Sequence, residues 1–175
     1  ALPVVELAAL DLIAAEGRSL GASACEFFGG RFLDVAGLRA TSPVAELVGS
    51  APALALLEVD GRREEVAERL EALEALARRL GVPLKVGRTQ PEVDHLWHIR
   101  HAASPVIAAR AEQGLVSMQF IEDSVVPDGC LSRYLVGLDG ILANEGTDAV
   151  VFGHAGDGNV HVNPLVDVGR PDWRE

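Results

Sequence analysis

Helix-like and strand-like periodicities alternate along these 175 residues. Two strand–helix–strand units are separated by a further helix, and the last two β runs sit back to back around a glycine-rich turn. Together these observations predict an α+β fold, a ferredoxin-like antiparallel sheet with helices on one face. A doubly wound parallel sheet is the rival. It is disfavoured because the final β run returns directly on its predecessor.

The elements follow from local chemistry. Leu7, Leu10 and Ile13 predict an amphipathic helix over residues 4–16, stopped by Gly17. Residues 22–28 read as a strand and 29–38 as a short helix, followed by a Thr41-Ser42-Pro43 loop and a helical turn. The apolar run 54–59, closed by Asp60-Gly61, reads as a buried strand. Val66, Leu70, Leu73, Ala77 and Leu80 form one stripe, which predicts a helix from Arg63 to Leu80 ended by Gly81 and Pro83. Residues 84–87 read as a strand. Thr89 and Glu92 form a capping box with Pro91 in the first turn, opening a helix to about Ala103, where Pro105 bends or ends it. Val116, Met118 and Phe120 alternate with Ser117 and Gln119, so one half-buried strand runs towards Pro127. Leu131, Leu135, Leu138 and Leu142 mark a helix ending at Gly146. Strands over 149–152 and 160–166 complete the chain.

Composition bounds the function. With 49% hydrophobic residues, the chain can bury a core and offset the entropy of ordering, which excludes intrinsic disorder. No apolar run reaches the roughly 18 residues a membrane helix needs. A net charge of −11 argues against nucleic acid and anionic lipid as partners. Cys25 and Cys130 lie far apart in no metal spacing and suit a reducing cytoplasm.

The chemistry concentrates in Gly153-His154-Ala155-Gly156-Asp157-Gly158-Asn159-Val160-His161-Val162-Asn163. Asp157-Gly158 signals a two-residue hairpin turn. In that register His154 faces His161, Ala155 faces Val160 and Phe152 faces Asn163. The two imidazoles then form a cross-strand pair with Cβ atoms about 5 Å apart on one face, and Asn163 lies two residues along on the same side. Such a pair can share a divalent metal, although a catalytic zinc usually takes three protein ligands. Glu122 and Asp123 are candidates for the third by composition alone. From spacing alone, a surface hairpin with an incidental histidine pair stands beside the metal-binding reading. A phosphate loop is excluded, because a strand follows the glycines and no helix N-terminus is offered. His95, His98 and His101 do not converge on one ion at helical spacing; they read as a polar face with Trp97 on the core. Arg100 could grip a carboxylate through two parallel hydrogen bonds, or be an ordinary solvated residue.

This glycine–histidine stretch, preceded by Glu122-Asp123-Ser124-Val125-Val126-Pro127 and by Leu96-Trp97-His98-Ile99-Arg100, resembles the C-terminal domain of FAD-linked oxidases. That group includes the D subunit of glycolate oxidase, D-lactate dehydrogenases and D-2-hydroxyglutarate dehydrogenases. The three motifs stand in family order across about residues 22–166. The resemblance implies a cap domain over residues 22–175, preceded by an N-terminal helical segment over 1–21. FAD would be held mainly by a domain that precedes this one. His154 and His161 would be metal ligands, for a divalent ion such as zinc, in the metal-using members. Arg100 would bind the substrate carboxylate, with Ser104 and Asn163 as further substrate contacts. The third metal ligand and the catalytic base belong to a Glu-His-Gly motif expected beyond Glu175, so no catalytic residue is assigned within the chain. Where hydroxyglutarate-type members carry a substrate-binding lysine, this chain has Gln119, Phe120 and Ile121, which favours a small monocarboxylate. The implied activity is flavin-dependent oxidation of a D-2-hydroxy acid of glycolate or D-lactate type. Partner subunits of a glycolate oxidase-like complex are implied, in the cytoplasm or peripheral to the inner face of the membrane. The alternative is a non-enzymatic ferredoxin-like ligand- or metal-binding regulatory module.

Overall fold

The computed structural model describes residues 1–40, 42, 44–110, 114–117, 121–171 and 173, and the side chains of all of these except 103, 106, 121 and 122. The strands are β1 (Leu2–Val4), β2 (Ala24–Gly29), β3 (Ala53–Glu58), β4 (Leu115–Ser117), β5 (Ile121–Val125), β6 (Asp148–His154) and β7 (Asn159–Asp167). The helices are α1 (Ala9–Ser19), α2 (Gly30–Val35), α3 (Ala45–Val48), α4 (Arg63–Leu80), α5 (Gln90–His101), α6 (Ala103–Ala109) and α7 (Leu131–Asn144). The strands form a single sheet in the order β1-β3-β2-β6-β7-β4, with β5 also paired to β7. Every described pairing is antiparallel. The α+β class and antiparallel sheet are therefore as expected, and the parallel rival is excluded.

Helices cover both faces of the sheet, which extends the expectation of helices on one. Phe27, Ala53, Ala55, Val151, Val160 and Val162 pack against α1, α7 and Leu76 of α4. The opposite parity, Phe28, Leu54, Leu56, Val150, Phe152 and Leu165, packs against Phe32, Val48, Leu96, Ile99 and Ile107 from α2, α3, α5 and α6. Strand side chains alternate between faces, so a sheet apolar on both parities must be covered twice. The apolar runs of β2 and β3 carry this signature.

Other differences have local causes. Val4, expected to start a helix, instead belongs with Leu2 and Pro3 to the edge strand β1 against β3, and α1 begins only at Ala9. Gly17 does not stop α1. The helix runs through it to Ser19, because a residue without a side chain lets α1 lie against Cys25 and Leu57. Residues 84–87 form no strand; Lys85 alone among them exchanges two backbone hydrogen bonds with Ala1, at 2.7 and 2.8 Å. The helix from Arg63 to Leu80 matches its expected bounds, with Gly81 in the left-handed region at φ 67°. At Thr89 the Glu92 carboxylate accepts from the Thr89 and Arg88 amides, both at 2.9 Å. These bonds hold its pKa below the usual carboxylate value. The expected single strand over 116–120 is described as β4 and β5, both on the same edge of β7. Met118, Gln119 and Phe120, like Thr41 and Pro43, lie outside the described residues.

One tertiary contact substitutes for a missing local cap. Cys130 at the N-cap of α7 makes no side-chain capping bond. Instead Asp11 of α1 accepts from the Leu131 amide at 2.9 Å and the Ser132 amide at 3.4 Å, and from the Ser132 hydroxyl. It meets orphan donors at the helix start and opposes the positive end of the helix dipole. Among the described residues no helix is long and apolar enough to cross a membrane.

Cys25 lies under this packing. Burial first, and then the neighbouring Glu26 carboxylate, push its thiol pKa from 9.0 up to about 12, since a buried site disfavours the thiolate. A folded pKa above the unfolded one contributes stability that is fully present below the unfolded value of 9.0 and lost as the pH rises towards about 12. Cys130 is half-buried. A thiol-disulfide reagent at pH 8 should therefore modify Cys130 much faster than Cys25 in the folded protein, and both equally in denaturant. Equal rates in the native state would contradict the burial described.

Candidate active site

The site begins with strand pairing. The β2–β6 register sets Glu26 opposite His154 and Phe28 opposite Phe152. The β6–β7 register sets His154 opposite Asn159, Phe152 opposite His161 and Val150 opposite Asn163. This corrects the hairpin read from the sequence. The turn is not a two-residue Asp157-Gly158 bend, because such a turn needs positive φ at both central residues, and no described non-glycine residue has it. Ala155–Asp157 instead form one turn of 3-10 helix, and Gly158 takes the left-handed conformation at φ 67°. The register moves by two residues relative to the expectation. Because side chains alternate with period two, this slip leaves every face assignment intact. His154 and His161 become diagonal neighbours on one face, with ring centroids 5.3 Å apart and planes at 83°.

The loop is held from three sides. The Arg18 guanidinium donates to the Gly156 carbonyl at 3.1 Å, and the Val126 amide donates to the Gly158 carbonyl at 2.8 Å. Cys25 packs under Gly156. A side chain at Gly158 would run into the Val126 carbonyl, and one at Gly153 into the Asn159 carbonyl. Both glycines are thus demanded by close backbone approach.

Charge enters through Glu26, which the sequence reading missed. Its side chain is only 6% exposed. One oxygen, Oε1, lies 2.7 Å from His154 Nδ1, and the other accepts from Arg100 Nε at 3.1 Å. Arg100 descends from α5, with its guanidinium carbon 5.1 Å from the centroid of the Phe152 ring, within cation–π range. His161 Nδ1 lies 3.2 Å from Asp123 Oδ1, and its ring contacts Phe152 at 5.1 Å. Each imidazole thus has a carboxylate behind its Nδ1. The signal for Glu26 was present: a lone charged residue inside Ala24-Cys25-Glu26-Phe27-Phe28, in a segment read as a strand.

Arg100, Ser104 and His154 line one open cleft of about 670 Å³, together with Glu26, Trp97, His101 and Asp157. Ser104 is exposed at its rim. Asn163 is placed elsewhere. It is 5% exposed, accepts from the Ser117 hydroxyl at 3.3 Å and donates to the Val150 carbonyl at 3.5 Å. His95, His98 and His101 lie on the exposed side of α5. Trp97 is half-buried, donates to Glu58 at 2.7 Å and stacks with His101.

His154 and His161 are the two side chains here that could offer nitrogen donors to a divalent cation. A carboxylate on Nδ1 fixes the proton there and directs the other ring nitrogen, Nε2, to a ligand. Asn159, paired with His154 in the strand register, has a buried Oδ1 with no hydrogen-bond partner among the described residues. No group of three His, Cys, Asp or Glu is placed to hold a metal among the described residues. Asp123 sits behind His161 instead of completing such a set, and the Glu122 side chain lies outside the described residues.

Two comparisons bear on this geometry. The family model of FAD linked oxidases, C-terminal domain, matches residues 2–175. Glycolate oxidase subunit GlcD of Bacillus subtilis (strain 168) is 30% identical over 127 residues, which cover 72% of this chain and 26% of that protein. The chain thus spans about a quarter of the length of the curated relative it matches.

The turn geometry yields a paired prediction. Gly158→Ala should cost about 1–3 kcal/mol through backbone strain, with further loss from the Val126 contact. Gly140→Ala, on the exposed face of α7 with no atom of the described residues within 4 Å of the added carbon, should instead stabilise by about 0.5–1 kcal/mol. Urea unfolding of both variants checks the contrast.

Proposed function

The chain belongs to the family of FAD linked oxidases, C-terminal domain, and from that premise we propose that it is the substrate-side domain of a flavin-dependent oxidoreductase acting on a small D-2-hydroxy acid of glycolate or D-lactate type. The observation that carries the reading is the Arg100 guanidinium at an open cleft, beside a histidine pair whose Nδ1 atoms both face carboxylates. A cation for the substrate carboxylate and nitrogen donors for the alcohol end are what a 2-hydroxy acid requires.

Arg100 binds the carboxylate. Its Nε is engaged by Glu26, so the two Nη groups form the end that meets the substrate, and a two-point grip fixes orientation as well as position. His154 and His161 would hold a divalent cation through Nε2. FAD, when bound by the parent protein, would supply hydride-accepting chemistry, and a cation held by His154 and His161 would supply Lewis acidity towards the substrate hydroxyl. Ser104 at the rim offers a hydroxyl for a further substrate hydrogen bond. Asn163, two residues beyond His161 on the same strand face, is retained as a substrate contact only if a bound molecule draws its amide from Ser117.

Arg100 is the sole Lys or Arg among the described residues lining the cleft, which supports a monocarboxylate over a dicarboxylate. The relative is by name a subunit of an oxidase, and by extension the parent protein works with partner subunits. A stand-alone regulatory module has nothing in its favour beyond the shape of the sheet.

In the full-length enzyme, Arg100→Ala should lower kcat/KM at least about 30-fold, the scale of removing one partner of a desolvated charge pair. Arg100→Lys should restore little, because an ammonium cannot reproduce the planar fork. An unchanged kcat/KM would remove Arg100 from the site. Elemental analysis should find bound metal lost in both His154→Ala and His161→Ala, whereas full stoichiometry in both would mark the pair as structural.

A further inference from the structure

We propose that Glu26 is a positioning residue, one buried carboxylate that sets both the substrate-gripping guanidinium of Arg100 and the metal-facing tautomer of His154. The inference rests on the roles given above to Arg100 and His154.

A strand interior is a costly place for an ionised carboxylate. Burying it is offset only when both oxygens find donors of good geometry. Glu26 meets this condition with one partner per oxygen, His154 Nδ1 at 2.7 Å and Arg100 Nε at 3.1 Å. The two partners come from different elements, β6 and α5, and Glu26 from a third, β2. Antiparallel pairing places Glu26 directly across from His154, so the contact is built into the sheet.

Each bond has a definite chemical effect. An ionised carboxylate only accepts, so the proton of a neutral His154 must sit on Nδ1, and the lone pair on Nε2. The Nε bond, with Phe152 beneath the guanidinium, fixes the plane of Arg100 and turns its Nη end outward. The distance between the carboxylate grip and the imidazole is then held through one residue that touches neither substrate nor cation. His161 has a weaker counterpart, because its carboxylate partner, Asp123, is 68% exposed.

Glutamine at this position separates the roles sharply. Its amide can accept from His154 or from Arg100 through Oε1, but its NH₂ group then faces the remaining N–H donor. Either one donor goes unmet, or the His154 proton moves to Nε2 so that Nδ1 accepts from the glutamine NH₂, which removes the lone pair a cation needs. In the full-length enzyme, Glu26→Gln should weaken binding of Zn²⁺, measured by competition against a chromophoric chelator, by about 10- to 100-fold. It should raise KM for glycolate about ten-fold, and it should add little to KM in an Arg100→Ala background. Unchanged Zn²⁺ affinity and KM in Glu26→Gln, while Arg100→Ala and His154→Ala keep their losses, would overturn the role of Glu26 alone. Absence of effect in Arg100→Ala and His154→Ala would overturn the site reading, and this inference with it. Should Glu26→Gln fail to fold, the wild-type enzyme supplies the test. With ¹⁵N-labelled histidine, the signal lost in His154→Gln should show the Nδ1–H tautomer, and an Nε2–H tautomer would overturn the proposal.

Discussion

The pairing of β2 with β6 is the constraint on which the site depends. It joins strands more than a hundred residues apart in sequence, and it brings Glu26 across from His154. A buried carboxylate without partners would cost several kcal/mol. The same register that creates the burial also supplies the imidazole, and α5 supplies Arg100. Phe152 then serves both charged and aromatic neighbours, lying under the Arg100 guanidinium and against the His161 ring. Sheet, helix and charge are therefore mutually dependent: loosening β2 from β6 would leave Glu26 buried with half its partners.

The loop between β6 and β7 is tied down by contacts separate from its chemistry. Its glycines answer to close approaches of Asn159, Val126 and Cys25, while Arg18 and Val126 tie down its carbonyls. A glycine-rich stretch of this kind is easily read as a flexible ligand cradle. Here the glycines allow three layers to come close, and the histidines at either end stand in fixed relation. Fixed relation matters for catalysis, because orientation is lost when supporting groups shift by an ångström.

Much of the architecture was legible from periodicity. The stripe from Val66 to Leu80 marked α4 at both ends, since an amphipathic pattern bounded by Gly81 and Pro83 has little alternative. Elements defined by remote partners were not legible. The strand at Leu2–Val4 exists because β3 offers an edge. Leu84–Gly87 looks equally strand-like, yet only Lys85 finds a backbone partner. The start of α7 carries no local cap, because Asp11, far away in sequence, provides it. Coverage of both sheet faces was hinted at by the apolar run of β3 and by apolar residues on both parities of β2, but which helices lie on which face is a matter of packing.

For the site, the residues by themselves determined which face carries the histidines. His154 and His161 share it under either turn, because alternation has period two and the true register differs from the expected one by an even step. Only the tertiary structure decided the rest: that the imidazoles meet diagonally, that Asn163 is drawn to Ser117, and that Glu26 joins His154 to Arg100. Alternation is a property of each strand's own backbone. Turn conformation, register and the partner of a buried charge are set by contacts between segments that the linear chain does not place together.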